Sequence, residues 1–261
     1  MLIIDQIGHK FKLDSTPKRI ISLVPSQTEL LSDLGLEEEV IGITKFCIHP
    51  KKWFKTKIRV GGTKNIQFNK IAELNPDLII ANKEENTKEQ IEALQKLYPV
   101  YTSDISNLDE SIEMIKTIGT ITNRESTSNK IIIKINQEFE RLEVLKKRSY
   151  SVLYLIWKEP YMTINQNTFI NDMMQRCGFN NVILDENKYP ELTATQISTL
   201  NPYLIFLSSE PYPFKEKHIE ALQIISPNSK IVLVDGEYFS WYGSRLKEAV
   251  SYFIALMDKI P

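Results

Sequence analysis

Four aromatic residues fall within five positions, Tyr238-Phe239-Ser240-Trp241-Tyr242, directly after an apolar run from Lys230 to Val234. Rings this closely spaced cannot all enter one core. Some are therefore expected at a surface, where aromatic faces beside a few polar groups suit a large, flat, partly apolar ligand. The competing reading is structural, with Phe239 and Tyr242 packed under the final helix while Tyr238 and Trp241 stand singly on the surface. Cys47-x-His49 is a soft-metal pair, but zinc takes three or four protein ligands and no further His/Cys cluster supplies the rest, so no protein-held metal is expected. His49 is read instead as a polar contact, or as an axial ligand to a metal already chelated. His9 and His218 read as solvent-facing. Gly61-Gly62-Thr63-Lys64-Asn65 lacks the G-x-x-x-x-G-K-[ST] pattern, and neither G-x-S-x-G nor H-E-x-x-H occurs, so no catalytic residue and no cofactor is expected.

Two further stretches carry polar chemistry at predicted helix starts. Ser26 and Glu29 stand at the spacing of a capping box, and Leu30, Leu31 and Leu34 continue a helical face to Gly35. Ser26 is expected to accept an N2 or N3 amide; the same exposed amides suit a ligand carboxylate, phosphate or amide oxygen, and the two roles can coexist. Lys83-Glu84-Glu85-Asn86-Thr87-Lys88-Glu89 reads most simply as a solvated helix start, with Glu84 or Glu85 turned to a ligand as the sharper alternative.

The elements that must position these residues come from a repeat. Ile71-Ala72-Glu73-Leu74-Asn75-Pro76-Asp77-Leu78-Ile79 recurs as Ile197-Ser198-Thr199-Leu200-Asn201-Pro202-Tyr203-Leu204-Ile205, six of nine positions being identical at an offset of 126. In each copy a helix ends at Asn-Pro, because proline cannot continue it, and a strand follows. Ile91-Glu92-Ala93-Leu94 is echoed by Ile219-Glu220-Ala221-Leu222. Strands are expected at 19–24, 40–43, 78–81 and 100–102, then at 151–156, 181–183, 204–207 and 230–234, with a short hairpin within 1–18. Between the halves, apolar residues at 131, 135, 139, 142 and 145 predict one amphipathic helix over 124–148, roughly 37 Å long, which would restrain hinge motion. The expected architecture is α/β: a lobe over 1–123, a linking helix over 124–148 and a second lobe over 149–261, with a ligand cleft between lobes.

In open α/β sheets ligands lie beyond the carboxyl ends of the strands. That places Ser26 and Gln27, then Lys45, Phe46 and His49, then Asn82, Glu84 and Asp104, at the first half's site. In the second half it places Trp157, Lys158, Glu210, Asp235, Tyr238, Phe239, Trp241 and Tyr242 there.

Composition narrows the partners. With 32 basic and 33 acidic residues the formal net charge is −1, which argues against nucleic acid. No 18-residue apolar run is present. Cys47 and Cys177 fall in different halves and are expected to be reduced. The first ten residues lack the pattern of a secretory signal, leaving open a cytoplasmic chain or a sequence without its export segment.

Together the segments Arg19 to Leu30, Ile71 to Ala81, Glu159 to Thr163, Cys177 to Val182 and Asp235 to Phe239 resemble the class III, helical-backbone substrate-binding proteins of ABC importers, and within them the cobalamin-binding type. The resemblance covers nearly the whole chain. It implies two Rossmann-like lobes from an internal duplication, a periplasmic setting, and a monomer that captures a corrinoid or metal chelate (cobalamin, haem or ferric siderophore) without chemistry. It also implies delivery to an ABC permease. Permease-docking glutamates of that type match Asn69 and Thr195 here, and two tryptophans expected over a corrin match Thr63 and Asn82. A cytoplasmic carrier or sensor of the same ligand, and an enzyme on the same scaffold, are the alternatives.

Overall fold

The computed structural model describes residues 1–145, 149–184 and 187–260. Its chain divides into two compact units. The first holds Met1–Ile105, Asp109–Asn136 and Tyr242–Lys247; the second holds Ser106–Leu108, Gln137–Trp241 and the chain from Glu248 onward.

In the first unit, β1 (Leu2–Ile4) and β2 (Lys10–Lys12) form an antiparallel hairpin that buries Ile3 and Phe11. Asp5 ties its turn to the body, accepting the amides of Ile7, His9 and Thr102 at 3.1, 2.7 and 3.0 Å. There follow β3 (Ile20–Ser22), α1 (Pro25–Asp33), β4 (Val40–Ile43), α2 (Lys51–Thr56), β5 (Ile58–Arg59), α3 (Phe68–Leu74), β6 (Leu78–Asn82), α4 (Lys88–Gln95) and β7 (Val100–Ser103). The five strands β3 to β7 make one parallel sheet in the order β5-β4-β3-β6-β7. Parallel strands are covered on both faces and so read as unbroken apolar runs; every residue of β6 is buried. Gly42 in β4 is required by packing, since a Cβ there would lie 3.0 Å from Leu74, 3.1 Å from Val60 and 3.2 Å from Ile21.

Two helices follow, α5 (Leu108–Ile121) and α6 (Glu125–Glu143). α6 buries Ile131, Ile135, Phe139 and Leu142 and runs unbroken through Ile131-Ile132-Ile133, whose weak helix propensity is outweighed by burial of the stripe. The boundary between the two units falls inside it, after Asn136. Residues 146–148, included in the expected helix, lie outside the described residues.

The second unit contains β8 (Tyr150–Trp157), β9 (Tyr161–Thr163), α7 (Phe169–Arg176), β10 (Phe179–Asn181), β11 (Glu191–Leu192), α8 (Ala194–Leu200), β12 (Leu204–Ser208), α9 (Lys217–Ile225), β13 (Lys230–Val234), α10 (Gly236–Ser240) and α11 (Leu246–Asp258). Its sheet runs β11-β9-β8-β12-β13, with β10 parallel to the start of β8 and only β9 and β11 antiparallel to their neighbours. The strand expected at 181–183 begins earlier. Gly178, at φ 81°, turns the chain straight from α7 into β10, and the Asn181 side chain then accepts the Ile183 amide and ends the strand.

The repeat is visible in both units. α3 and β6 in one match α8 and β12 in the other, and each helix closes on an asparagine in the left-handed region, Asn75 at φ 42° and Asn201 at φ 39°.

Candidate functional site

The carboxyl end of the first unit's sheet opens at α1. Val24, in extended conformation, is the residue before the helix, and Pro25 takes the first helical position, where its missing N–H costs nothing. Ser26, at the second helical position, is therefore two residues too late to cap, and the expected capping box does not form. Glu29 is engaged elsewhere, as a bidentate acceptor from Arg245 at 2.7 and 2.9 Å. Burial pushes the Glu29 carboxyl up, and the Arg245 guanidinium pulls it part of the way back. The backbone at Gly243 passes close by: a Cβ there would stand 3.0 Å from the Ser26 carbonyl.

Beneath Ser26, a buried polar network joins three strand ends. Gln27 donates from Nε2 to Ser103 Oγ, which also accepts Asn82 Nδ2 at 3.0 Å. Asn82 Oδ1 accepts the amides of Glu84 and Glu85 at 2.9 and 3.0 Å, and its own amide reaches Asn86 Oδ1 at 2.9 Å. The Asn82 side chain is thus engaged at both ends, its oxygen shaping the turn after β6 and its amide tying β6 to β7, which makes it a positioning residue. Gln27 Oε1 is buried without a partner among the described residues. Glu84 is half-buried on the turn, and burial pushes its neighbour Glu85 up.

After β4 the chain turns outward. Phe46 is 50 % exposed, with the Lys45 ammonium 5.0 Å from its ring centroid. Cys47 points the other way into a sealed pocket: Thr28 Oγ1 donates to its sulfur at 3.1 Å, Thr44 shares a second hydrogen bond at 3.1 Å, and burial pushes the thiol up. Such a thiol is inert, so Cys47 and His49 do not work as a pair. Among the described residues no group of three or more His, Cys, Asp or Glu is arranged to hold a metal.

In the second unit, Ser208 at the end of β12 accepts the Tyr154 hydroxyl at 3.2 Å and donates to the Glu210 carbonyl at 2.6 Å. Glu210 Oε1 accepts Ser240 Oγ at 2.5 Å and the Trp241 indole N–H at 2.9 Å. Asp235 caps α10 through the Glu237 amide at 3.1 Å. A side chain at Gly236 would strike Ser208 Oγ, which is why α10 can start so close to β12.

The aromatic run is mostly interior, contrary to the expected rim. Phe239 is fully buried among Tyr154 and Phe253 and has no face for a ligand. Trp241 is 6 % exposed, Tyr242 is buried, and Tyr238 is half-buried, stacked on Tyr252 at 4.6 Å. α10 takes in only Tyr238 to Ser240 of this run, and Trp241, its extended C-cap, turns its indole N–H inward to Glu210, a partner that a count of aromatics could not foresee. At the carboxyl end of β8 the exposed ring is Trp157, 39 % exposed and edge-on to Tyr212 at 5.5 Å. Tyr212 is a contact that sequence reasoning missed; it leans on His218, which is buried and not solvent-facing. His218 Nδ1 accepts the Lys215 amide at 2.8 Å, fixing a neutral ring, and burial lowers its pKa.

Other missed residues, Ser103, Ser240 and Arg245, share one cause. Each acts by reaching a side chain far away in sequence, and no local spacing signals that.

Residues 20–224 match the family model described as periplasmic binding protein. The vitamin B12-binding protein of Vibrio cholerae is 26 % identical over 195 residues, covering 73 % of this chain and 70 % of that protein. The crystal structure of the periplasmic vitamin B12 binding protein of Vibrio cholerae superposes with a TM-score of 0.81 at 22 % identity, covering 94 % of this chain and 98 % of that one. A periplasmic haem-binding protein from Pseudomonas aeruginosa gives a TM-score of 0.80 at 18 % identity, covering 94 % of each chain. At these identities the two structures bear on the fold alone.

Proposed function

Because the chain belongs to the periplasmic binding protein family, we propose that it captures a flat, partly apolar metal chelate or corrinoid and hands it to an ABC permease, acting as a monomer outside the cytoplasm and performing no chemistry. The observation that carries this reading is that each sheet presents an open aromatic face at its carboxyl end: Phe46 in the turn after β4 and Trp157 as the last residue of β8. A ring held on a rigid strand end offers a planar ligand a flat contact with little reorganisation. The ionisable groups beside them support binding over catalysis, since Glu29, Glu210, Asp235 and Cys47 are each committed to structural partners.

The test is a visible-absorbance titration of the purified chain with cyanocobalamin, hemin and ferric siderophores, with tryptophan emission followed in parallel. Saturable binding with quenching is expected for at least one class. Absence of binding to all three would refute the reading.

Delivery to a permease has its own check. Asn69 and Thr195 are exposed second residues of the matching helices α3 and α8 and carry no charge. Asn69→Glu with Thr195→Glu should strengthen co-sedimentation with a cobalamin-type permease in liposomes. Salt-sensitive docking by the unaltered chain would assign that task to other carboxylates, such as Glu73 or Glu191.

A further inference from the structure

The turn Gly61-Gly62-Thr63-Lys64-Asn65 has no phosphate-loop signature, yet it has a clear geometric task. Gly61 sits at φ 112°, and a Cβ on it would collide with the Asn65 carbonyl. The turn closes through the Gly62 amide to the Asn65 carbonyl at 2.8 Å, and it holds the exit of β4 through the Lys45 amide to the Gly61 carbonyl, also at 2.8 Å. A Cβ on Gly62 would lie 3.3 Å from both Lys45 Cε and Phe46 Cε2. Lys45 and Phe46 are therefore laid against bare glycine backbone, with their outer sides open to solvent.

The charges around them differ in how they are used. Lys83 is ion-paired with Asp104 at 2.6 Å, and Lys64 donates to the Glu84 carbonyl. Lys45 has no carboxylate within 4.0 Å among the described residues; its ammonium rests over the Phe46 ring. A cation resting over an exposed flat ring puts an apolar contact and a positive charge side by side, which matches a ligand carrying both a flat apolar part and an anion.

We propose that Lys45 and Phe46 form a charge-selecting subsite, so that the ligand is an anionic chelate bearing carboxylate or catecholate groups, and not a neutral corrinoid. This rests on the function proposed above. Phe46 would supply the apolar contact and Lys45 the discrimination.

The experiment titrates the full chain and its Lys45→Gln, Lys45→Arg and Phe46→Ala variants with hemin, a ferric tris-catecholate, a neutral ferric tris-hydroxamate and cyanocobalamin. Melting temperature is checked for each variant. One or both anionic chelates should bind the unaltered chain most tightly, the hemin and catecholate arms telling which anion is read. Lys45→Gln should weaken that binding about tenfold, the size of one charge-assisted hydrogen bond, and reduce its salt dependence. Lys45→Arg should restore most of it, and Phe46→Ala should weaken it with its salt dependence kept. An unchanged affinity in a well-folded Lys45→Gln variant would overturn the proposal. Tight binding of cyanocobalamin or the hydroxamate with neither anionic chelate bound would also overturn it while leaving the capture function standing. No binding of any of the four would remove both.

Discussion

Trp241 and His218 show how a side chain that looks available in sequence is used up by its neighbours. Trp241 is buried and donates to Glu210 at 2.9 Å. Trp241→Ala should therefore lower stability by about 3–5 kcal/mol through the cavity left behind, while Trp241→Phe should cost about 1–3 kcal/mol for the lost donor. Urea unfolding reads both, and a Trp241→Ala chain of unaltered stability would move the ring out of the core. His218 makes stability depend on pH. Its ring must stay neutral to accept the Lys215 amide, and Lys158, Lys215 and Lys217 oppose a proton there. Because folding lowers its pKa below the ordinary 6.5, the unfolded chain holds the proton more readily; the contribution of His218 is complete above 6.5 and is lost as pH falls through the lowered value. Unfolding measured between about pH 7.5 and 5 should show a shallower decline for His218→Gln than for the unaltered chain; equal slopes would assign the decline to carboxylates. The positions beyond the strand ends were legible, because strand runs are plain in the sequence and their carboxyl ends follow from them. The task of each side chain was not. Asn82 and Phe239 hold structure, and the acceptors and donors that decide this, Ser103 and Ser240, act across the fold.

At the scale of elements, the Asn-Pro steps are the parts of the fold most fully written in the sequence. α3 and α8 both stop on an asparagine in the left-handed region, where a Cβ is strained and an asparagine side chain is tolerated. Asn201→Ala should cost roughly 1 kcal/mol and Asn201→Gly close to nothing, with the same order at Asn75. Chemical denaturation of the four variants tests it; an alanine as stable as glycine at either site would mean that the cap conformation relaxes. These helices and strands were readable because proline, asparagine and apolar periodicity act locally. The short β5, β9 and β11 were not, since two or three residues carry no periodicity of their own and exist only where a neighbouring strand offers a partner. α10 was hidden for a related reason: a helix of five residues is marginal alone, and the Asp235 cap and the bond from the Gly236 amide to Ser209 Oγ hold it in place.

For the whole molecule, the proposed capture of a ligand has a thermodynamic signature. A ligand present at 100 times its dissociation constant adds about 2.7 kcal/mol to the folded state, which should raise the melting temperature by roughly 5–10 °C. Scanning fluorimetry with hemin, cyanocobalamin and ferric chelates measures this, and a ligand that quenches tryptophan without shifting the transition would be a bystander. One passage of chain sets a limit on treating the duplicated halves as parts. Tyr242–Lys247 belongs to the first unit although its flanks belong to the second, and it supplies Arg245 to Glu29 and Lys247 to Asp33. A fragment ended at Asn136 would keep the first sheet and α1 but leave the Glu29 carboxylate without its guanidinium. A chimera that took only the first 136 residues of this chain would have to take this distant passage as well to keep the pair. A second half made apart from the first would likewise carry Arg245 and Lys247 without the carboxylates that hold them.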